Sequence, residues 1–175
     1  MDIKTILDFV APSVRDAVLE TAKQLERLSI RHAIAGGLAV GAYGYIRTTA
    51  DVDFLVGDEA FEHHGPLVTF KTGVPIQVGG VRIAYLSTAS LGSHLEDILA
   101  QPPHSEGVAN EGLAVVPIEV LVYMKLVARR RKDQVDIIEL IRAGADVRVI
   151  QRYLEHNAGD LLPLFEALLQ EAEQD

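Results

Sequence analysis

The chain has 175 residues, 49% of them hydrophobic and 23% charged, which suits one domain with its own core, or a small domain with a helical extension, and not two large domains. A formal charge of −9 and a pI near 5.1 disfavour a protein that coats nucleic acid with a broad basic surface, because such binding is driven by phosphate neutralisation and counterion release. The absence of cysteine excludes disulfides, thiolate nucleophiles and cysteine-ligated zinc.

The opening MDIKTILDFVAPSVRDAV mixes acidic with apolar residues and has no uninterrupted apolar core or small-residue cleavage site, so no secretion signal is expected. Charges, Gly or Pro interrupt every apolar run before the roughly 20 residues that span a bilayer. The expectation is a cytoplasmic protein with no membrane partner. Residues 12–29 repeat apolar positions at helical spacing (Val14, Val18, Leu19, Ala22, Leu25, Leu28), which predicts a first surface helix. His32–Ala35 then meets Gly36-Gly37 and a run of small residues to Gly44, the pattern of strand, tight turn and helix. A second strand is expected over Val52–Val56. Gly79-Gly80 between Val74–Val78 and Val81–Leu86 is a hairpin signal.

Residues 91–100 read as helix, Gln101–Gly107 as a linker, and Leu113–Val116 as a last short strand. After Pro117, which suits a first helical turn, the pattern is helical to the acidic tail, with breaks at Gly144 and Asn157–Gly159. Strands therefore dominate the first two-thirds and helices the last, an α+β layout: a core with an N-terminal helix over 1–116 and a helical segment over 117–175 packed on it.

Asp51 and Asp53 are one residue apart, so on a strand both carboxylates project from one face while Val52 and Phe54 point into the other layer. Such a pair is able to hold a hard cation, since magnesium takes one or two carboxylates together with substrate phosphates. An isolated D-x-D is also common as a solvated strand end. Upstream, Gly36-Gly37 at a strand-to-helix turn offers backbone N–H groups to a phosphate, although such a pair also serves plain tight packing. It is not a P-loop or a dinucleotide fingerprint: no G-K-[ST] follows, and Gly41 and Gly44 do not complete G-x-G-x-x-G. The six histidines form no HExxH or spaced Cys/His set, and Ser87 and Ser90 lack a G-x-S-x-G context.

Written out, GGLAVGAYGYIRTTADVDF, residues 36–54, resembles the nucleotidyltransferase superfamily signature of a Gly-Gly turn, a small-residue helix, Arg, Thr and D-x-D. The R-x-T-x-D-x-D form is most similar to AbiEii-type and related bacterial nucleotidyltransferases, including toxin and antitoxin proteins. Further on, KLVARRRKDQVDIIELI resembles the K-x-x-A…R-x-K-D-x-x-D stretch that follows the core in these proteins. On a continuous helix Lys125, Arg129, Lys132, Asp133 and Asp136 share one face, either lining a cleft or forming a solvated face of ion pairs. The run Arg129–Lys132 is likewise either a landing site for RNA or a solvated helix end.

The resemblance implies a nucleotidyltransferase fold, a small mixed sheet flanked by helices, with the helical C-terminal segment closing one side of a cleft. It implies transfer of a nucleoside monophosphate from an NTP to tRNA, a protein or a small molecule. Gly36, Gly37, Arg47 and Thr49 are expected to bind the nucleotide, Asp51 and Asp53 to hold Mg2+ or Mn2+, Lys125 to contact the triphosphate, and Asp133 or Asp136 to orient that lysine or act near the acceptor. Active relatives carry a third carboxylate on a later strand; the matching position here is Ala84. An alanine coordinates nothing, so Glu96, Asp97, Asp133 or Asp136 would have to substitute. The alternative is a catalytically weak or inactive nucleotide-binding protein that acts through a toxin–antitoxin partner.

Overall fold

In the computed structural model, Pro12 opens helix α2 (Pro12–Arg27), after a shorter α1 (Ile3–Phe9) that the sequence pattern does not mark. Helix α2 buries Val14, Ala17, Val18, Thr21, Ala22 and Leu25, one face at helical spacing. It stops two residues short of the predicted end because Ser29 takes a left-handed φ of 56°, and the N–H of Ile30 returns to the carbonyl of Leu25 at 2.9 Å. The structure describes residues 3–62, 64–65, 68–69, 76–100 and 113–174. The expected linker at Gln101–Gly107, His63 and the start of the strand expected from Val74 lie outside the described residues.

The chain divides into two compact units, Met1–Ala42 with Ile46–Val116, and Tyr43–Tyr45 with Pro117–Asp175. In the first, β1 (His32–Ala35), α3 (Gly36–Ala42) and β2 (Asp51–Val56) follow the predicted strand–turn–helix–strand order. Helix α4 (Glu59–Glu62) comes next, then a two-residue ladder of β3 (His64–Gly65) with β4 (Val68–Thr69). Strands β5 (Ile76–Val78) and β6 (Val81–Ser87) form the hairpin, turning at Gly79 and Gly80, whose φ values of 56° and 80° suit glycine. The main sheet has the order β1-β2-β6-β5, with β2 antiparallel to β1 and parallel to β6. Residues 88–100 hold α5 (Thr88–Leu91), a 3-10 turn and α6 (Glu96–Ala100) in place of one helix. The strand expected at Leu113–Val116 is a single parallel bridge from Val115 to Ile34, because Pro117 starts a helix at once.

An ionic clamp ties the far end of β2 to its surroundings. Arg31 donates its backbone N–H and its Nε to Glu59 Oε1 at 2.9 and 3.0 Å, and its Nη2 to Glu59 Oε2 and Glu96 Oε2 at 2.9 and 2.8 Å. Thr88 Oγ1 donates to Glu96 as well. The hydrogen bonds from Arg31 hold the Glu59 carboxyl down to about 2, against the opposing effect of burial.

In the second unit α7 (Ile118–Ala128) buries seven consecutive residues, Val120–Leu126, so it is the central helix, packed by α8 (Arg131–Arg142) and α9 (Val147–Asn157). Helix α10 (Leu162–Glu173) packs on α8. The continuous helix expected through Lys125 and Asp136 does not form. Arg129 takes a left-handed φ of 54° and Arg130 an extended conformation, which ends α7 and starts α8 in a new direction. The corner gathers charge instead of spreading it along one face. Lys125 Nζ, 6% exposed, donates to Asp136 Oδ2 at 2.6 Å and Asp133 Oδ1 at 3.3 Å, and both carboxylates are buried. Arg130 reaches in with Nε to Asp133 Oδ2 at 2.6 Å and Nη2 to Asp133 Oδ1 at 3.2 Å. Burial opposes charge on Asp133, but Arg130 and Lys125 outweigh it and hold its carboxyl below the usual range.

Removing the lysine strands buried carboxylate charge, so Lys125→Met should cost roughly 3–5 kcal/mol in urea unfolding, and Lys125→Met with Asp136→Asn should lose less than Lys125→Met alone. Glu59 and Asp133 both ionise more easily folded than at their ordinary 4.5 and 3.8, so the stability they contribute is complete above those values and is lost as pH falls from them through the lowered folded values. The thermal midpoint should be level above about pH 5 and fall below it, with a shallower fall in Glu59→Gln.

Candidate functional site

Strand β2 lies inside the sheet with a buried face and a half-exposed one. Val52 and Phe54 are fully buried, while Asp51 and Asp53 are half-exposed on the opposite face. Strand β1 runs the other way with Ala35 beside Asp53, so the chain turns at Gly36 against the Asp53 side chain. At φ 60°, Gly36 is in the left-handed region, and a methyl group on it would overlap Asp53 Oδ2 and lie 2.7 Å from Cγ. A methyl on Gly37 would lie 2.8 Å from Thr49 Oγ1 and 3.3 Å from Arg47 Nη2. Thr49 Oγ1 donates to the carbonyl of Asp51 at 3.1 Å, which folds the 47–49 segment back along β2. Gly36, Gly37, Arg47, Thr49 and Asp53 therefore converge, as a sequence stretch that the sheet has closed on itself. Helix α3 is fixed by burial: Leu38, Ala39, Val40, Gly41 and Ala42 are buried, and Gly41 lies against Ile6 of α1.

On the other side of β2, the parallel register sets Arg82 beside Asp51 and Ala84 beside Asp53. Ile83 and Tyr85 are buried with Val52 and Phe54, so Arg82 and Ala84 share the carboxylate face. The Arg82 guanidinium donates to Asp51 Oδ2, with the two side chains 57% and 40% exposed. The hydrogen bond and charge of Asp51, with a smaller contribution from Asp53, raise the Arg82 pKa. Sequence reasoning missed Arg82. The signal was the alternation of β6, which puts Arg82 on the face of Ala84, but only the register to β2 gives it a partner.

Glu96, one of the substitutes for a third carboxylate, is bound to Arg31 beside Glu59, next to the end of β2 remote from Asp51. Asp133 and Asp136 belong to the second unit and hold Lys125 there, so the structure brings these three expected residues together with one another. Arg129 and Lys132 are exposed; Arg129 and Arg131 line a groove of about 440 Å3 in the same unit, with Val135, Ile138 and Glu171. His32 has a structural role, with Nδ1 2.9 Å from the carbonyl of Ile30 and its ring edge-on to Phe54.

The donor chemistry at β2 fits one hard cation. Two carboxylates from one strand face would offer it oxygen ligands, with phosphate oxygens and water left to complete the shell. Among the described residues no group of three or more His, Asp or Glu side chains is arranged to hold a metal alone. No helix of the described residues is long and apolar enough to cross a membrane.

No family model matches the chain, and no curated protein does. Among solved structures it is similar to the crystal structure of an antigenic nucleotidyltransferase-like protein from Paracoccidioides brasiliensis, with a TM-score of 0.50 and 15% identity over 92% of this chain and 94% of that one. Identity at that level speaks to architecture alone. The chain has an α+β nucleotidyltransferase-like fold, a four-stranded mixed sheet flanked by helices and followed by a helical C-terminal part.

Proposed function

We propose that the chain binds a nucleoside triphosphate with one divalent ion on the polar face of β2, and that the reaction class of the site is transfer of a nucleoside monophosphate. The observation that carries this reading is the Asp53 carboxylate lying against Gly36, with Thr49 and Arg47 against Gly37. A metal ligand, a side-chain-free turn and a guanidinium are thereby collected within reach of one triphosphate. Backbone N–H groups at the turn and Arg47 would take phosphate oxygens, and Asp53 with Asp51 would hold Mg2+ or Mn2+. When bound, such an ion would offset charge on the phosphates. In the transfer itself an acceptor hydroxyl oxygen would bond to the α-phosphorus and lose its proton to water, the bond from that phosphorus to the bridging oxygen would break, and pyrophosphate would leave with that electron pair. The acceptor would be tRNA, a protein side chain or a small molecule.

A second reading has its own support. Ala84 beside Asp53 leaves out a third carboxylate, and Lys125 is engaged by two buried aspartates. Both features favour a nucleotide-binding protein with weak or no transfer, acting through a partner as in the toxin–antitoxin proteins that residues 36–54 resemble.

Calorimetric titration with each NTP and Mg2+ should give saturable binding, weakened roughly tenfold or more in Asp53→Ala, since even outer partners of a metal ligand are worth ten- to a hundredfold. Absence of NTP binding in the native protein would sink the reading. Labelled NTP with total tRNA or candidate proteins then separates the two forms: transfer that Asp53→Ala abolishes identifies the enzyme, and binding with no transfer identifies the non-catalytic protein.

A further inference from the structure

We propose that the exposed face of α8 is the contact through which two copies of this chain pair about a two-fold axis. The inference concerns the second unit alone and does not depend on the reading of the β2 face. Along α8, Arg131, Gln134, Val135 and Ile138 follow one another at helical spacing and line the groove of about 440 Å3, together with Arg129 and with Glu171 of α10. Val135, 45% exposed, is the open apolar side chain of that groove. Its charges are unspent: among the described residues the side chains of Arg129, Arg131 and Glu171 have no ion pair or hydrogen bond. Arg130, by contrast, is committed to Asp133, and Arg142 to Glu139.

Two of these charges are also set against their own helices. Arg131 lies in the first turn of α8, where the helix dipole favours an acid, and Glu171 in the last turn of α10, where it favours a base. The stability of the helix that carries it therefore explains neither. A two-fold contact joins a patch to itself, so the patch must contain its own complement. This one does, with guanidiniums and a carboxylate around one open apolar side chain. Val135 and Ile138 straddle the middle of α8, and at its far end Arg142 donates through Nε to the carbonyl of Ala172, the neighbour of Glu171, at 3.4 Å. Two copies of α8 crossing antiparallel at that middle would set Val135 against the partner's Ile138 and carry each Arg131 toward the partner's Glu171. The whole chain carries −9, so two copies repel except where basic residues gather, and Arg129–Lys132 is such a place. Nucleic acid suits the groove less well: Glu171 would repel its phosphates, and among the described residues that line it none is aromatic, so no base would stack.

Sedimentation equilibrium of the full chain between roughly 1 μM and 1 mM, the span of weak pairing, should show a reversible monomer–dimer equilibrium. Arg131→Glu and Glu171→Arg should each raise the dissociation constant roughly tenfold or more, because each sets like charges together across the axis. The two substitutions combined in one chain should recover most of that loss. Both suit the dipoles of their helices, so the variants should fold, which circular dichroism checks. Fluorescent oligouridylate is titrated alongside. A native protein that stays monomeric over this range, single variants that pair as tightly as the native chain, or a double variant no tighter than either single one overturns the proposal. So does a monomer that binds oligouridylate and loses it in Arg131→Glu, which would give the groove to nucleic acid.

Discussion

The polar face of this protein depends on one close approach, a carboxylate lying against a backbone. Strand β2 is paired along both edges, so its side chains are fixed in direction by β1 on one side and β6 on the other. Asp53 then projects to where the chain leaving β1 must turn, and the turn is possible only with a residue that has no Cβ and tolerates a φ of 60°. Thr49 and Arg47 are brought to the next glycine by the same return of the chain. One short stretch of backbone thereby sets which polar groups lie together on this face.

Charge is distributed very differently in the two units. In the first, Asp51, Asp53 and Arg82 are half-exposed or exposed, so their interactions are screened by water. In the second, Lys125, Asp133 and Asp136 are out of water and satisfy one another, with Arg130 closing the group from the surface. Such a cluster specifies how α7 and α8 meet more than it adds stability, because the cost of desolvating the ions consumes most of their attraction. Charge in the first unit is thus left at the surface of the sheet, and charge in the second is enclosed between helices.

Much of the first unit was legible from the sequence because its signals are local. The alternation through Asp51, Val52, Asp53 and Phe54 states a strand face directly, and the glycine pairs at 36–37 and 79–80 mark turns that need positive φ. What was not legible depends on partners distant in the chain. Arg82 acquires meaning only from the parallel register with β2, which no property of Val81–Ser87 announces. The corner at Arg129 was hidden for another reason: a left-handed residue after a helix is commonly glycine, and here an arginine adopts it with no glycine or proline nearby to mark the break. Lys125 still met Asp133 and Asp136, but by a turn in the chain and not by helical spacing.

The division of β2 and β6 into a buried face and an open one has an evolutionary consequence. The sheet is held by Val52, Phe54, Ile83 and Tyr85 on its inner side, whereas Asp51, Asp53, Arg82 and Ala84 contribute little to packing. Those positions are free to drift without first unfolding the molecule, and alanine and aspartate codons are a single base apart. A chain built on this sheet could exchange side chains at those positions in small steps, each through a folded protein. Gly36 has no such freedom, since a side chain there would overlap the Asp53 carboxylate.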